Sequence, residues 1–231
     1  MDTGRSLVTY ETNTGSAGVA KIDTYGAFYQ TQFFDLSPTT AGYMRPVATA
    51  NGVLFYNPLT GRGAVGYVNY GGEFTQVEAP LLSTGWTKIV ATDNGLLFYN
   101  AATGSATVGR IDRNGRYSNS QTFAAGSLSK GWSHIVATGD SLLFYDVSTG
   151  SAAIGNIDHS GKFAQTSAAR LSASWSKIVV VGDDILFYNE ETGSAAIGNL
   201  NRARGTFEQT QSLPNAFSTG WTHIVAVAGE R

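Results

Sequence analysis

The residues best suited to chemistry recur in pairs: Tyr43 with Arg45, Trp86 with Lys88, Trp132 with His134, Trp175 with Lys177, and Trp221 with His223. In each, an aromatic ring is followed two positions later by a cation or an imidazole. Residues two apart on a β-strand share a face, so the spacing predicts the two side chains standing side by side. An indole or phenol offers a flat apolar surface to a pyranose ring, and a Lys, Arg or His donor bonds its hydroxyls. The pair therefore reads as a sugar-binding couple, and the cations suit a carboxylate or an acidic glycan as well. Against this stands the plainer reading that the Trp packs between sheets and the basic residue bonds a neighbouring blade.

Two sets of oxygen-bearing side chains accompany the pairs. One is Glu11, Asn57, Asn100, Asp146 and Asn189, from which Asn100, Asp146 and Asn189 join the candidates for bonding ligand hydroxyls. The other is Asp23, Asn69, Asp112, Asp158 and Asn201. Both sets also suit Asx turns, in which the side chain bonds its own backbone. One such oxygen per unit is too few for a Ca²⁺ cage, and Asp140 and Asp183-Asp184 add no Ca²⁺ loop, so no metal and no cofactor are expected. The chain has no Cys, which removes disulfides, thiolate ligands and a Cys nucleophile together.

Catalysis finds little support at this level. Of the three histidines, His134 and His223 occupy a position held by Lys or Arg in other units, and His159 stands apart. No nucleophile elbow, His-Glu-x-x-His or phosphate-binding Gly loop occurs. A near-symmetric set of residues lacks the distinct roles a catalytic site needs. The expectation is a protein that is not an enzyme.

The elements that carry these residues are repeats. Tyr10, Tyr56, Tyr99, Tyr145 and Tyr188 are separated by 46, 43, 46 and 43 residues, and a Thr-Gly pair follows each four residues on. The aromatics from Tyr43 to Trp175 each precede the next such tyrosine by thirteen residues. Trp221 has no tyrosine after it, and Tyr10 has no Trp before it. Repeats of about 43–85, 86–131, 132–174 and 175–220 are complete, and 221–231 joins with 1–42 into a fifth. In a closed ring the two fragments form one unit and leave no large exposed edge, which an open solenoid does not explain.

One unit holds four short strands. Residues 132–138 are rich in β-branched side chains, 142–145 is an apolar run buried on both faces, 151–157 carries small residues suited to close packing, and 162–166 alternates. Turns at 139–140, 146–150 and 158–161 separate them. Gly26, Gly72, Gly115, Gly161 and Gly205 each stand two residues before an aromatic, reading as a left-handed turn followed by an inter-blade packing ring. Four strands in 43–46 residues is the size of a propeller blade. The fold expected is one all-β domain over 1–231, a five-bladed β-propeller of four-stranded antiparallel blades, closed by pairing of the N- and C-terminal segments.

Composition agrees: 42% apolar, 14% charged, 28 Gly, 12 Phe and 11 Tyr. A net charge of −2 and the lack of a Lys/Arg run argue against nucleic acid as a partner. No signal peptide and no membrane-spanning run are visible, so the expectation is a soluble chain without membrane insertion.

A ring of five units of this length, three opening on Gly-Trp and four carrying Leu-Phe-Tyr, resembles the five-bladed propeller lectins of the tachylectin-2 type over the whole chain. The resemblance implies one sugar site per repeat and recognition of N-acetylated amino sugars such as N-acetylglucosamine. The expected function is a multivalent lectin that binds glycans or glycoconjugates and agglutinates cells, gaining avidity from up to five sites. Two rivals stand beside it: a protein-interaction scaffold using loops at one rim, and a hydrolase or lyase with its site in the central channel. The Tyr43 unit and the split unit, with Ala20 in place of Gly66, Gly109, Gly155 and Gly198, are expected to be silent.

Overall fold

Short apolar runs punctuated by Gly-containing turns favour strands, and the computed structural model of the chain has strands as its only regular elements among the described residues. It describes residues 5–23, 25–35, 46–201 and 204–226. The first sheet holds β1 (Arg5–Tyr10), β2 (Ser16–Ile22) and β3 (Phe28–Asp35). The second holds β4 (Val47–Thr49), β5 (Gly52–Tyr56), β6 (Gly63–Val68) and β7 (Phe74–Glu78). The third holds β8 (Lys88–Ala91), β9 (Leu96–Tyr99), β10 (Ala106–Ile111) and β11 (Tyr117–Phe123). The fourth holds β12 (His134–Thr138), β13 (Ser141–Tyr145), β14 (Ser151–Ile157) and β15 (Phe163–Arg170). The fifth holds β16 (Lys177–Val181), β17 (Asp184–Tyr188), β18 (Ala195–Asn201) and β19 (Thr206–Leu213).

Every sheet is an antiparallel meander in chain order. The first strands of successive four-stranded sheets touch, β4 on β8, β8 on β12 and β12 on β16, while β15 meets β19. Sheets set side by side through their first strands are blades about an axis, the architecture of a β-propeller, and five blades fit the repeat. Among the described residues no helix is long and apolar enough to cross a membrane.

Alternation along the strands explains why the middle of each blade is apolar on both faces. Leu54, Tyr56 and Val65 pack forward onto Trp86, Leu96, Phe98 and Ile111 of the next blade. Val53, Phe55, Ala64 and Phe74, the alternate positions, pack back onto Ala17 and Val19 of the first sheet. The tyrosine of each unit adds a polar tie. Its hydroxyl donates to a serine carbonyl in the crossing to the next blade, Tyr56 to Ser83, Tyr99 to Ser129, Tyr145 to Ser172 and Tyr188 to Ser218, at 2.6–2.8 Å. It also accepts the backbone N–H of the Trp that follows. Burial pushes the pKa of Tyr56, Tyr99 and Tyr145 up, and that of Tyr117 to about 12.

The glycine before each outer aromatic is left-handed in all five units, with φ from +63° at Gly205 to +82° at Gly72. The ring that follows lies over a second glycine, where the strand register shifts: a Cβ on Gly155 would stand 2.5 Å from Phe163. In the first sheet Ala20 replaces that glycine, and its partner Phe28 is displaced to 61% exposure.

Two strand limits differ from the sequence reading. The first strand of the fourth sheet starts at His134 rather than Trp132, and the last runs on to Arg170 rather than ending at Thr166. Among the described residues no strand pairs the chain ends: residues 221–226 carry none, and Leu7 of β1 is 44% exposed. Thr9 stands where Phe55, Phe98, Phe144 and Phe187 fill the other blades, so the first sheet offers less apolar surface on that side.

Candidate functional site

The expected aromatic–basic couple is not assembled. The inner strands begin at the basic residue, so the Trp lies outside the strand, and no Trp lines the cavity that Lys88 and His134 share. Trp86 and Trp132 are buried between blades, with ring centroids 6.2 Å from Phe98 and 5.9 Å from Phe144. Trp175 is partly buried, 6.1 Å from Phe187. Trp221 alone is exposed, and it stacks on Tyr188 at 5.8 Å. Packing accounts for these rings. Tyr43 and Arg45 lie outside the described residues.

The oxygen set that follows the tyrosines builds turns. Asn100 Oδ1 accepts the backbone N–H of Ala102 and Thr103, and its Nδ2 donates to Gly85. Asn189 accepts from Glu191 and Thr192. Asp146 accepts from Ser148 and from the hydroxyls of Ser148 and Thr149, which hold its carboxyl below the usual range. Asp23, Asp112 and Asp158 accept backbone N–H groups in the same manner two and four residues on.

The basic positions, in contrast, converge. Lys88, His134 and Lys177 open β8, β12 and β16, three inner strands that are neighbours about the axis. Lys88 and His134 line a cavity of about 430 Å³, with Ser133 and the apolar side chains of Val47, Ile89, Val90, Ile135 and Val136. The three positions are not equivalent. Lys177 is paired with Glu190 at 2.6 Å. Lys88 is half-buried and has no carboxylate partner among the described residues, and burial lowers its pKa. His223 is exposed, with Nδ1 2.9 Å from Thr222 Oγ1.

His134 is held through one ring nitrogen and stands beside a hydroxyl at the other. Nε2 stands 3.2 Å from the Ser176 carbonyl and Nδ1 3.1 Å from Ser133 Oγ. A carbonyl only accepts, so the proton belongs on Nε2 and the lone pair on Nδ1. Burial lowers the pKa of the ring. The Ser176 bond opposes this, and the charges of Lys88 and Lys177 reinforce it. The single hydrogen of Ser133 Oγ goes to the Tyr145 carbonyl and its oxygen accepts the Val147 N–H, so it gives no hydrogen to Nδ1, whose lone pair is left open. Thr87 and Ser176 make the same pair of bonds in their blades, so these belong to the fold. What is particular to the fourth blade is an imidazole beside that hydroxyl and facing a cavity.

The sequence reading missed Ser133 and Glu190. A hydroxyl precedes the basic residue in Thr87, Ser133, Ser176 and Thr222, a signal open to inspection. Glu190 stands where the other units have Pro58, Ala101 and Val147, and its pairing with Lys177 needs the blade to be folded.

No protein-family model matches the chain, and no curated protein matches it in sequence. Among solved structures it is similar to β-propellers. A protein from Bacteroides uniformis, provisionally named a 6-phosphogluconolactonase, superposes with a TM-score of 0.65 at 13% identity, over 92% of this chain and 69% of that one. A protein from Bacteroides fragilis, named in the same provisional way, gives 0.62 at 15% identity, over 90% and 67%. The periplasmic gluconolactonase of Pseudomonas aeruginosa gives 0.58 at 14% identity, over 94% and 69%. At these identities the likeness shows the fold.

These neighbours correct the sequence reading on three points. The resemblance to tachylectin-2 lectins is narrowed to the propeller itself. The multivalent glycan-binding lectin is not upheld, since the named neighbours are lactonases. The expectation that the chain is not an enzyme falls with it. The physical reason is visible in the inner strands: near-symmetry of sequence concealed three different environments at one repeat position, a lone Lys88, an imidazole and an ion-paired Lys177.

Proposed function

We propose that this chain is a channel-sited hydrolase of small anionic esters, with sugar-acid lactones as the substrate class. The observation that carries the reading is the cavity in which a half-buried Lys88 ammonium and the neutral face of His134 meet among apolar walls. A phosphate or carboxylate on the substrate pairs with Lys88. His134 Nδ1 takes a proton from a water, whose oxygen attacks the lactone carbonyl. The ring C–O bond breaks, and the proton passes to the departing oxygen to give the hydroxy acid. The Ser176 carbonyl fixes the ring and its tautomer. The lactonase names of the propeller neighbours support this chemistry.

Lys88→Gln tests the anion contact. A charge-assisted bond of about 1.5–3 kcal/mol predicts a KM for 6-phosphogluconolactone raised about 10–100-fold, with a far smaller change for neutral gluconolactone. Equal changes for the two lactones would remove Lys88 from anion recognition.

We infer also that the ring has five blades closed by its termini, with the segment from His223 onward as the innermost strand of the first sheet. His223-Ile-Val-Ala repeats the wording of β12, and a cavity of about 470 Å³ lies between Ser6–Val8 of β1 and Pro46, Ala48 and Thr49 beside β4. Native-state amide exchange tests it: amides of Ile224–Ala226 should be protected to a degree comparable with β12. Exchange at the free-peptide rate would leave the first blade three-stranded.

A further inference from the structure

Lys88 differs from every other lysine whose surroundings the structure defines. Lys177, its counterpart two blades on, is neutralised by Glu190 at 2.6 Å. Lys21 donates to the Tyr70 carbonyl and Lys162 to the Ser120 carbonyl, both at exposed sites, and Lys130 is exposed. Lys88 has no acceptor among the described residues, is half-buried, and projects into the cavity walled by Val47, Ile89, Val90, Ile135 and Val136. The group facing it there is an imidazole, not a carboxylate. Apolar walls and the lack of an anionic partner both disfavour the ammonium and favour the free amine. A free amine in an accessible, apolar-walled cavity is a nucleophile toward carbonyl carbon.

From this geometry we propose that Lys88 is a carbonyl-reactive lysine, forming an imine with small anionic aldehydes and ketones such as 2-oxo acids. This activity shares its cavity with the hydrolase reading but not its chemistry. The ammonium first gives one proton to water. The amine nitrogen then attacks the carbonyl carbon, and the carbinolamine loses one water to leave a C=N bond to Nζ. The imine nitrogen then retakes a proton from water, and the carboxylate of the ligand compensates the charge of the iminium so formed. No oxidation or reduction takes place, and hydrolysis reverses the step.

The test uses the whole chain with glyoxylate at low molar excess, trapped with cyanoborohydride, which delivers hydride to the imine, followed by peptide mass mapping. Lys88 should be modified at least about ten-fold faster than Lys130, Lys162 or Lys177, since it alone presents its amine to the cavity without an acceptor among the described residues. Lys88→Arg, which keeps the charge, should remove that adduct without moving it to a neighbour. Modification of Lys130 or Lys162 as fast as Lys88 would overturn the proposal. So would a Lys88 rate unchanged when glyoxylate is replaced by neutral propanal, since the anion would then play no part. Lactone hydrolysis is measured on the same unmodified preparation. An adduct at Lys88 without turnover counts against the hydrolase reading alone, and turnover without an adduct counts against this one alone.

Discussion

His134→Ala is expected to slow lactone hydrolysis by about 10²–10⁴-fold in kcat, the usual contribution of a positioned general base. The side chain is half-buried at the cavity wall rather than in the apolar core, so the melting temperature should move little. The pH profile carries independent information. Only the neutral ring accepts a proton, so activity rises as pH rises through the His134 pKa and is lost as pH falls through it. Burial, reinforced by Lys88 and Lys177, places that pKa below the ordinary imidazole value, so the acid limb should have its midpoint below about 6.5. A midpoint above that, or a limb unchanged in the variant, would assign it to another group. Lys177→Gln removes one of the two charges pressing on the ring and should move the limb upward.

A large stability effect is expected at Gly150. Its φ is +72°, and a Cβ there would stand 2.3 Å from the Leu171 carbonyl oxygen. Leu171 N–H donates to the Gly150 carbonyl at 2.8 Å, tying the outer strand's exit to the Thr-Gly turn. Gly150→Ala therefore meets a left-handed backbone penalty of about 1–2 kcal/mol, a collision with backbone that cannot swing aside, and loss of that bond. We expect about 3 kcal/mol, or roughly 6–12 °C in Tm for a chain of this size. Gly126 is the control: its φ is +80°, but a Cβ there meets nothing within 4 Å. Gly126→Ala should cost about 1 kcal/mol, the backbone penalty alone. Thermal melts that fail to separate the two variants would show that the turn, not the collision, sets the cost.

Much of this blade geometry is legible in the sequence because it repeats. The Thr-Gly pairs and the glycine before each outer aromatic report a local requirement present in every unit, and the Leu-Phe-Tyr strand one present in four of the five. The forward and backward packing of Leu54 and Phe55 follows from alternation alone. What repetition conceals is difference. The position of Lys88, His134 and Lys177 reads as one basic site five times over, whereas the structure gives each member another environment. The Glu190 that silences Lys177 lies thirteen residues away in sequence and is brought back by the β16–β17 hairpin. The Trp misled for a related reason: a period-two argument holds only inside a strand, and Trp132 stands one residue before Ser133, ahead of the strand's start. The first sheet shows the same limit from the other side. Ala20 and Thr9 are visible as departures from the repeat, but the displacement of Phe28 needed coordinates.

The most direct measurement is the rate at which the purified chain opens 6-phosphogluconolactone and gluconolactone, followed by acid release in weak buffer. Saturable turnover above the spontaneous rate, favouring the phosphorylated lactone and abolished in His134→Ala, is the result expected. Rates indistinguishable from buffer for both lactones, in a preparation with a cooperative melt, would contradict a hydrolytic site in the channel.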